Sequence, residues 1–354
     1  MADASLIMTA DPHFDYLALD ELTAAAPDAV RMAELDEGIY LFGDVDFFEL
    51  AQRWAAAPPI FVRHIVPVMQ TVGLSGAEDD LELLATALAD NLLDYVDASL
   101  PFAVQARLLA KTAYRPFHIM TALADLVAKQ SRAPLDVRNP QQVLSLVIAT
   151  TPPEHPVDAP LVGFLGLSPT ALNLSDWAGG MRRFAREADQ ISRAEFKLLE
   201  AFDVFDVALP PRGVALDLGA SPGGWTRVLR QREQYVTAVD PGELDPRVAA
   251  DKGVRLKRMT AEAYLADDPD QFDLIVNDMR MDARESARLM LDYAGQLYPT
   301  GQAIMTLKLP EHNRRAIMDE ALTILARRYR IVGVKQLFHN RSEVTVFLQL
   351  PSRK

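Results

Sequence analysis

Residues 213–226, GVALDLGASPGGWT, constrain this chain more than any other stretch. The run at 214–218 is apolar apart from Asp217 and reads as a short buried strand. Gly219, Ser221, Pro222, Gly223 and Gly224 then cannot extend a strand and must turn, and a helix begins near Trp225. The next strand-like run, 235–239, ends on an acid, Asp240. Strand, glycine turn, helix and acid suit a nucleoside cofactor. Bare backbone can approach the ligand at the helix start, and a carboxylate can accept ribose hydroxyls. The glycines do not follow the GxGxxG spacing of dinucleotide sites.

From Gly213 onward, strand candidates at 214–218, 235–239, 254–258, 273–277, 302–308, 331–337 and 343–349 alternate with helical segments. Ala283, Ala287, Met290, Ala294 and Leu297 recur at three- and four-residue steps, so a helix is expected there until the residues 298–301, YPTG, stop it. Such alternation implies a seven-stranded, mainly parallel sheet covered by helices on both faces. Ligands of these sheets bind at the carboxyl ends of the strands. Residues 217–224, Asp240 and Asp278 all fall there.

The 354 residues suffice for two domains, or three small ones. Upstream of the glycine turn, residues 1–30 show no clear period and are expected to be partly loose. Strands are expected at 39–42, 60–71, 102–109, 143–149 and 161–167, with helices at 47–57, 80–98 and 116–129. Residues 151–160, TPPEHPVDAP, read as a loop. The organisation expected is an acidic α+β part over 1–100, a second part over 101–178, and the sheet domain over 179–354. Of the net charge of −13, residues 1–160 carry 9 Lys/Arg against 23 Asp/Glu, whereas residues 161–354 carry 27 against 26. The acidity therefore leaves most of the chain free to meet a polyanion. The absence of cysteine excludes disulfides, thiolate zinc sites and cysteine nucleophiles. His312 and His339 have no metal-ligand spacing, so no metal site is expected. No apolar run is long enough for a membrane span and the N-terminus is not a signal peptide, which points to a soluble cytoplasmic protein.

Four polar residues stand beside apolar elements: Lys197 in SRAEFKLLEAF, Asp278 after DLIVN, Lys308 after AIMTL, and Glu343 opening EVTVFLQL. Singly, each reads as a solvated edge. Together with LGASPGGWT, LKLP and QLFHNRSEVTV they resemble the FtsJ-type ribose 2′-O-methyltransferases, most closely the branch that methylates a cytidine ribose of 23S rRNA. The resemblance implies a class I, Rossmann-like methyltransferase domain, S-adenosylmethionine as cofactor, and a Lys197–Asp278–Lys308–Glu343 tetrad. Lys308 would be the base, Lys197 the nearby cation, Asp278 the group orienting Lys308, and Glu343 the partner of Lys197 or of the ribose. Cofactor contacts would come from Ser192, Asp217, Gly219, Ser221, Pro222, Gly223, Gly224, Trp225, Asp240, Thr260 and Asp278. Thr260 stands where the family has an aspartate near the adenine, with Glu262 as the alternative, and by residue type Trp225 also suits packing behind the loop.

Residues 101–167 resemble, more faintly, the RNA-recruiting THUMP module through FAVQARLL, LDVRNP and LVGFLGL. Arg182, Arg183, Arg186 and Arg193 read either as a solvated helix face or as a track for RNA phosphates. The function so implied is methyl transfer to a ribose of large-subunit rRNA. Methylation of another RNA or a small molecule, and a non-catalytic cofactor-binding RNA-binding protein, remain the alternatives.

Overall fold

The computed structural model describes residues 3–267 and 269–351. They fall into two compact units divided between Met181 and Arg182.

The first unit opens with β1 (Ala4–Ala10), α1 (Asp15–Ala25), β2 (Val30–Asp36), β3 (Ile39–Gly43), α2 (Phe47–Ala56) and β4 (Val62–Pro67). Their strands form a sheet in the order β2-β3-β1-β4. The expected partial looseness of residues 1–30 is thus corrected for residues 4–25, which form β1 and α1, while residues 1 and 2 lie outside the described residues. β1 is an inner strand, and its residues 6–10 are buried without alternation. A strand covered on both faces carries no period of two, so its pattern does not announce it. Next come β5 (Gln70–Leu74), α3 (Asp80–Asn91), β6 (Phe102–Leu108), α4 (Pro116–Ser131), β7 (Gln142–Thr150) and β8 (Leu161–Pro169). These strands form a second sheet, β5-β8-β7-β6. The single strand expected at 60–71 is two, in different sheets: Pro67 closes β4, and β5 pairs with β8. Ile7, Leu41 and Val66 pack with Val147 and Phe164 in one core between the sheets. Leu84, Leu88, Ile119 and Leu123 join α3 and α4 to the second sheet.

The second unit contains α5 (Glu195–Val204), β9 (Val214–Leu218), α6 (Gly224–Gln231), β10 (Tyr235–Val239), α7 (Pro246–Ala249), β11 (Val254–Lys257), α8 (Ala261–Ala266) and β12 (Phe272–Asn277). It continues with α9 (Ala283–Asp292), β13 (Leu297–Lys308), α10 (Arg314–Leu325), β14 (Arg330–Lys335) and β15 (Glu343–Gln349). The sheet order is β11-β10-β9-β12-β13-β15-β14. Only β15 runs against its neighbours. Chain order reverses between β9 and β12, so the glycine turn after β9 opens at the switch point of the sheet. Leu198, Trp225, Val228, Leu274, Ile304 and Phe347 share a core that seats α5 and α6 on the sheet.

One helix ends earlier than its apolar spacing predicts. α9 stops at Asp292, and Leu297 begins β13, paired with Phe272. Leu297 is buried by the sheet, not by a helix face, and burial alone does not tell the two apart from sequence. Among the described residues no helix is long and apolar enough to cross a membrane.

Candidate active site

Reversal of β15 places its first residue, Glu343, directly opposite Lys308, the last residue of β13. Asp278 follows β12 at the same edge of the sheet. Its turn is shaped by buried Asn277, whose Oδ1 accepts the Met279 N–H at 2.9 Å while its amide donates to Ser286 Oγ at 3.2 Å. α5 delivers Lys197 to this edge. Lys197 Nζ donates to Asp278 Oδ2 at 3.1 Å and lies 2.7 Å from Glu343 Oε1. Lys308 Nζ is bonded to Asp278 Oδ1 and stands 4.0 Å from Glu343 Oε1. The four residues named from sequence, with Lys197 and Asp278 81 positions apart and Asp278 and Lys308 30 apart, thus meet in one cluster. A fifth was missed: Thr306, two residues before Lys308 on β13 and 1% exposed, donates its hydroxyl to Asp278 Oδ1 at 2.7 Å. Its signal was the period of two, which puts positions 306 and 308 on one face.

The two lysines are pushed in opposite directions. Burial is the largest influence on both and favours the neutral amine. At Lys197 that pull is overcome by Asp278 and Glu343, and its pKa is raised. At Lys308 burial prevails, helped by the positive charge of Lys197, and its pKa is lowered. Asp278 also resists ionisation through burial, yet Lys308, Lys197 and the Thr306 hydroxyl hold its pKa below the ordinary value. Titratable groups driven apart in this way recur at acid–base sites.

The glycine turn is shaped for close approach. Gly219 (φ 75°) and Gly223 (φ 112°) occupy the left-handed region that favours glycine. A Cβ at Gly219 would strike the Met279 side chain, and one at Gly224 would strike Ser192 Oγ. Ser192 Oγ is itself buried with no hydrogen-bond partner. A buried hydroxyl left unpaired over bare backbone fits a polar ligand group there. Asp240 is half-buried and accepts the Ser221 N–H at 3.1 Å and the Gly242 N–H at 2.6 Å, which leaves lone pairs for further donors. Ser221 Oγ donates to the Glu243 carbonyl at 2.8 Å, and Pro222 O accepts the Asp245 N–H, so the loops after β9 and β10 are tied together. Arg227 of α6 fixes the approach to α5 by pairing with Glu187, Asp189 and Glu195.

Residues 190–312 match the FtsJ-like methyltransferase family. A ribosomal RNA large subunit methyltransferase M from Methylococcus capsulatus is 30% identical over 264 residues, 66% of this chain and 74% of that protein. The chain belongs to this family. Proteins of the same name from Laribacter hongkongensis and Teredinibacter turnerae are 35% and 36% identical, over 50% and 53% of this chain. The chain spans about half the length of those two relatives, 52% and 56%.

The remaining residues named from sequence sit in this FtsJ-like domain as follows. Asp217 is buried at the end of β9, accepts the Thr226 hydroxyl at 2.6 Å, and is pushed up by burial to about 7. Trp225 faces the core: it is 4% exposed, and its indole N–H donates to the Ala194 carbonyl at 2.7 Å. This is the burial that packing behind the loop requires. Thr260 is the N-cap of α8, its hydroxyl accepting the Ala263 N–H at 3.2 Å. Aspartate caps equally well, so the exchange from the family pattern keeps the helix start. Residues 181–190 are not helical, which removes the helix-face reading of the arginines. Arg182 bonds Asp203 at 2.9 Å through Nε, whereas Arg183, Arg186 and Arg193 are exposed. Among the described residues no cluster of three or more His, Asp or Glu could hold a metal ion.

Proposed function

We propose that this chain is an S-adenosylmethionine-dependent methyltransferase acting on a ribose 2′-hydroxyl of 23S ribosomal RNA, at a cytidine. The observation that carries the reading is the pair of lysines, one held charged and one held towards neutrality, on a shared buried aspartate. When bound, S-adenosylmethionine supplies an electrophilic methyl group on a sulfonium centre. Gly219, Gly223 and Gly224 give it bare backbone, Ser192 a free hydroxyl, and Asp240 a carboxylate for its ribose. The ribose 2′-hydroxyl that would receive the methyl group must give up its proton. Lys308, in its neutral form, would take that proton at Nζ. Lys197 remains protonated between Asp278 and Glu343 and keeps a positive charge beside Lys308, which favours its neutral form. Asp278 holds both amino groups, and Thr306 holds Asp278. Positioning of the hydroxyl against the methyl group supplies much of the remaining rate.

The first unit recruits the RNA in this proposal. Its β6–α4–β7 crossover, in which parallel strands flank the helix, is consistent with a THUMP-like module, and residues 101–140 hold 6 basic against 2 acidic residues. Arg183, Arg186 and Arg193 lead phosphates towards the tetrad, and the work is done in the cytoplasm.

The test is methyl transfer to 23S rRNA from cells lacking this gene, with the product mapped by nucleotide. Lys308→Ala should slow single-turnover transfer by about 10²–10⁴-fold with cofactor affinity little changed. Arginine cannot readily become neutral, so Lys308→Arg should be nearly as slow. Near-native turnover in the arginine variant would overturn the assignment of the base.

A further inference from the structure

Beside the tetrad lies a group of rings that the chemistry above does not use. Phe196 directly precedes Lys197 on α5. Its ring stacks on Phe184 with centroids 5.8 Å apart and planes 13° apart, and His339 lies 5.1 Å from Phe196 and 5.6 Å from Phe184. The guanidinium of Arg182 sits 4.7 Å over the Phe184 ring. All three rings are half-buried, not sealed into the core that surrounds Leu198 and Trp225.

The group is held rigidly at the catalytic edge. His339 belongs to the loop between β14 and β15, and that loop ends on Glu343. The carboxylate of Glu200, one helical turn after Phe196 and 3% exposed, accepts the N–H groups of Phe338 and His339, both at 2.9 Å. The His339 ring bonds the Arg182 carbonyl through Nε2 at 2.8 Å. A buried carboxylate spent on clamping a loop is costly unless the geometry it fixes is needed. Charge points the same way. Arg280, two residues after Asp278, and Arg341, two before Glu343, are both exposed and make no ion pair among the described residues.

We propose that Phe184, Phe196 and His339 form a stacking subsite for a nucleobase of single-stranded RNA, with Arg280 and Arg341 taking the flanking phosphates. This rests on the reading of the tetrad as a ribose-methylating site and names how that site holds its substrate. A ribose presented to Lys308 carries its base nearby, and these half-buried rings adjoin Lys197 on α5 and the loop that leads to Glu343. Stacking on aromatic side chains is tolerant of sequence because every base has a π-face. The subsite therefore supplies affinity and orientation and leaves base identity to other contacts.

The probe is a short single-stranded oligoribonucleotide with one internal 2-aminopurine, mixed with the wild-type chain. Stacking quenches the fluorophore, and ultraviolet cross-linking followed by peptide mapping should place the RNA on Phe184, Phe196 or His339. Phe184→Leu lies outside any helix and should weaken RNA binding by roughly 10-fold and relieve the quench, with cofactor affinity unchanged. Arg280→Ala with Arg341→Ala should lower affinity and reduce its salt dependence while the quench of bound RNA persists. Absence of both quench and cross-links at these rings in the wild-type chain overturns the subsite, whether or not the variants fold. If that happens while rRNA is still methylated and Lys308→Ala abolishes it, only the subsite falls. If the wild-type chain methylates no rRNA, the reading of the function falls instead.

Discussion

Thr306 offers a direct measure of how much the cluster depends on its shared carboxylate. Thr306→Val keeps the shape of the side chain and removes one donor from Asp278 Oδ1, an oxygen that also faces Lys197 and Lys308. A hydrogen bond to a charged group contributes about 1.5–3 kcal/mol. Thr306 is 1% exposed, so no water replaces it. Over a unit of this size that loss corresponds to a Tm lower by roughly 3–12 °C in the transition that melts the seven-stranded sheet. The pH response has a definite sign. The folded pKa of Asp278 is depressed, so its contribution to stability is present above the unfolded pKa and lost as pH falls through the folded one. Removing the Thr306 hydroxyl raises that folded pKa, so the loss of stability in acid should be smaller than in the native chain and complete at a higher pH. Because Asp278 positions Lys308, single-turnover methyl transfer should also slow, by about 10-fold for each 1.4 kcal/mol of lost positioning. Thr306→Ser should restore both properties. Melting curves over a pH series, with transfer rates on the same samples, provide the assay. A valine variant that melts and turns over like wild type would show that Asp278 is held by the lysines alone.

Two further outcomes follow from the glycine turn and the strand before it. Gly219→Ala puts a Cβ against Met279 at a φ of 75°, so calorimetry should find cofactor affinity reduced at least 10-fold, and unchanged affinity would remove Gly219 from the site. Asp217 has its pKa raised from 3.8 to about 7, chiefly by burial, so the folded chain without cofactor binds a proton that the unfolded chain releases. Its contribution should decline as pH rises from about 4 to 7, and Asp217→Asn should flatten that part of the stability profile. A profile identical to wild type would place the proton elsewhere.

What the sequence determined by itself was the strand–turn–helix at 213–226, the alternation that builds the seven-stranded sheet, and the residue types of the tetrad. These are local matters: glycines that can take a positive φ, apolar runs of strand length, and charged residues at the ends of such runs. Tertiary structure alone decided the rest. β1 is hidden from pattern because both its faces are covered. Leu297 is buried and pairs with Phe272 of a neighbouring strand, and only that pairing distinguishes it from a helix face. Lys197 and Lys308 are the same residue type at similar burial, and nothing in their neighbours along the chain separates them. The structure places two carboxylates within 3.1 Å of one and leaves the other 4.0 Å from Glu343. That difference comes from where α5 sets Lys197 between the ends of β12 and β15, and it separates two lysines that the sequence leaves alike.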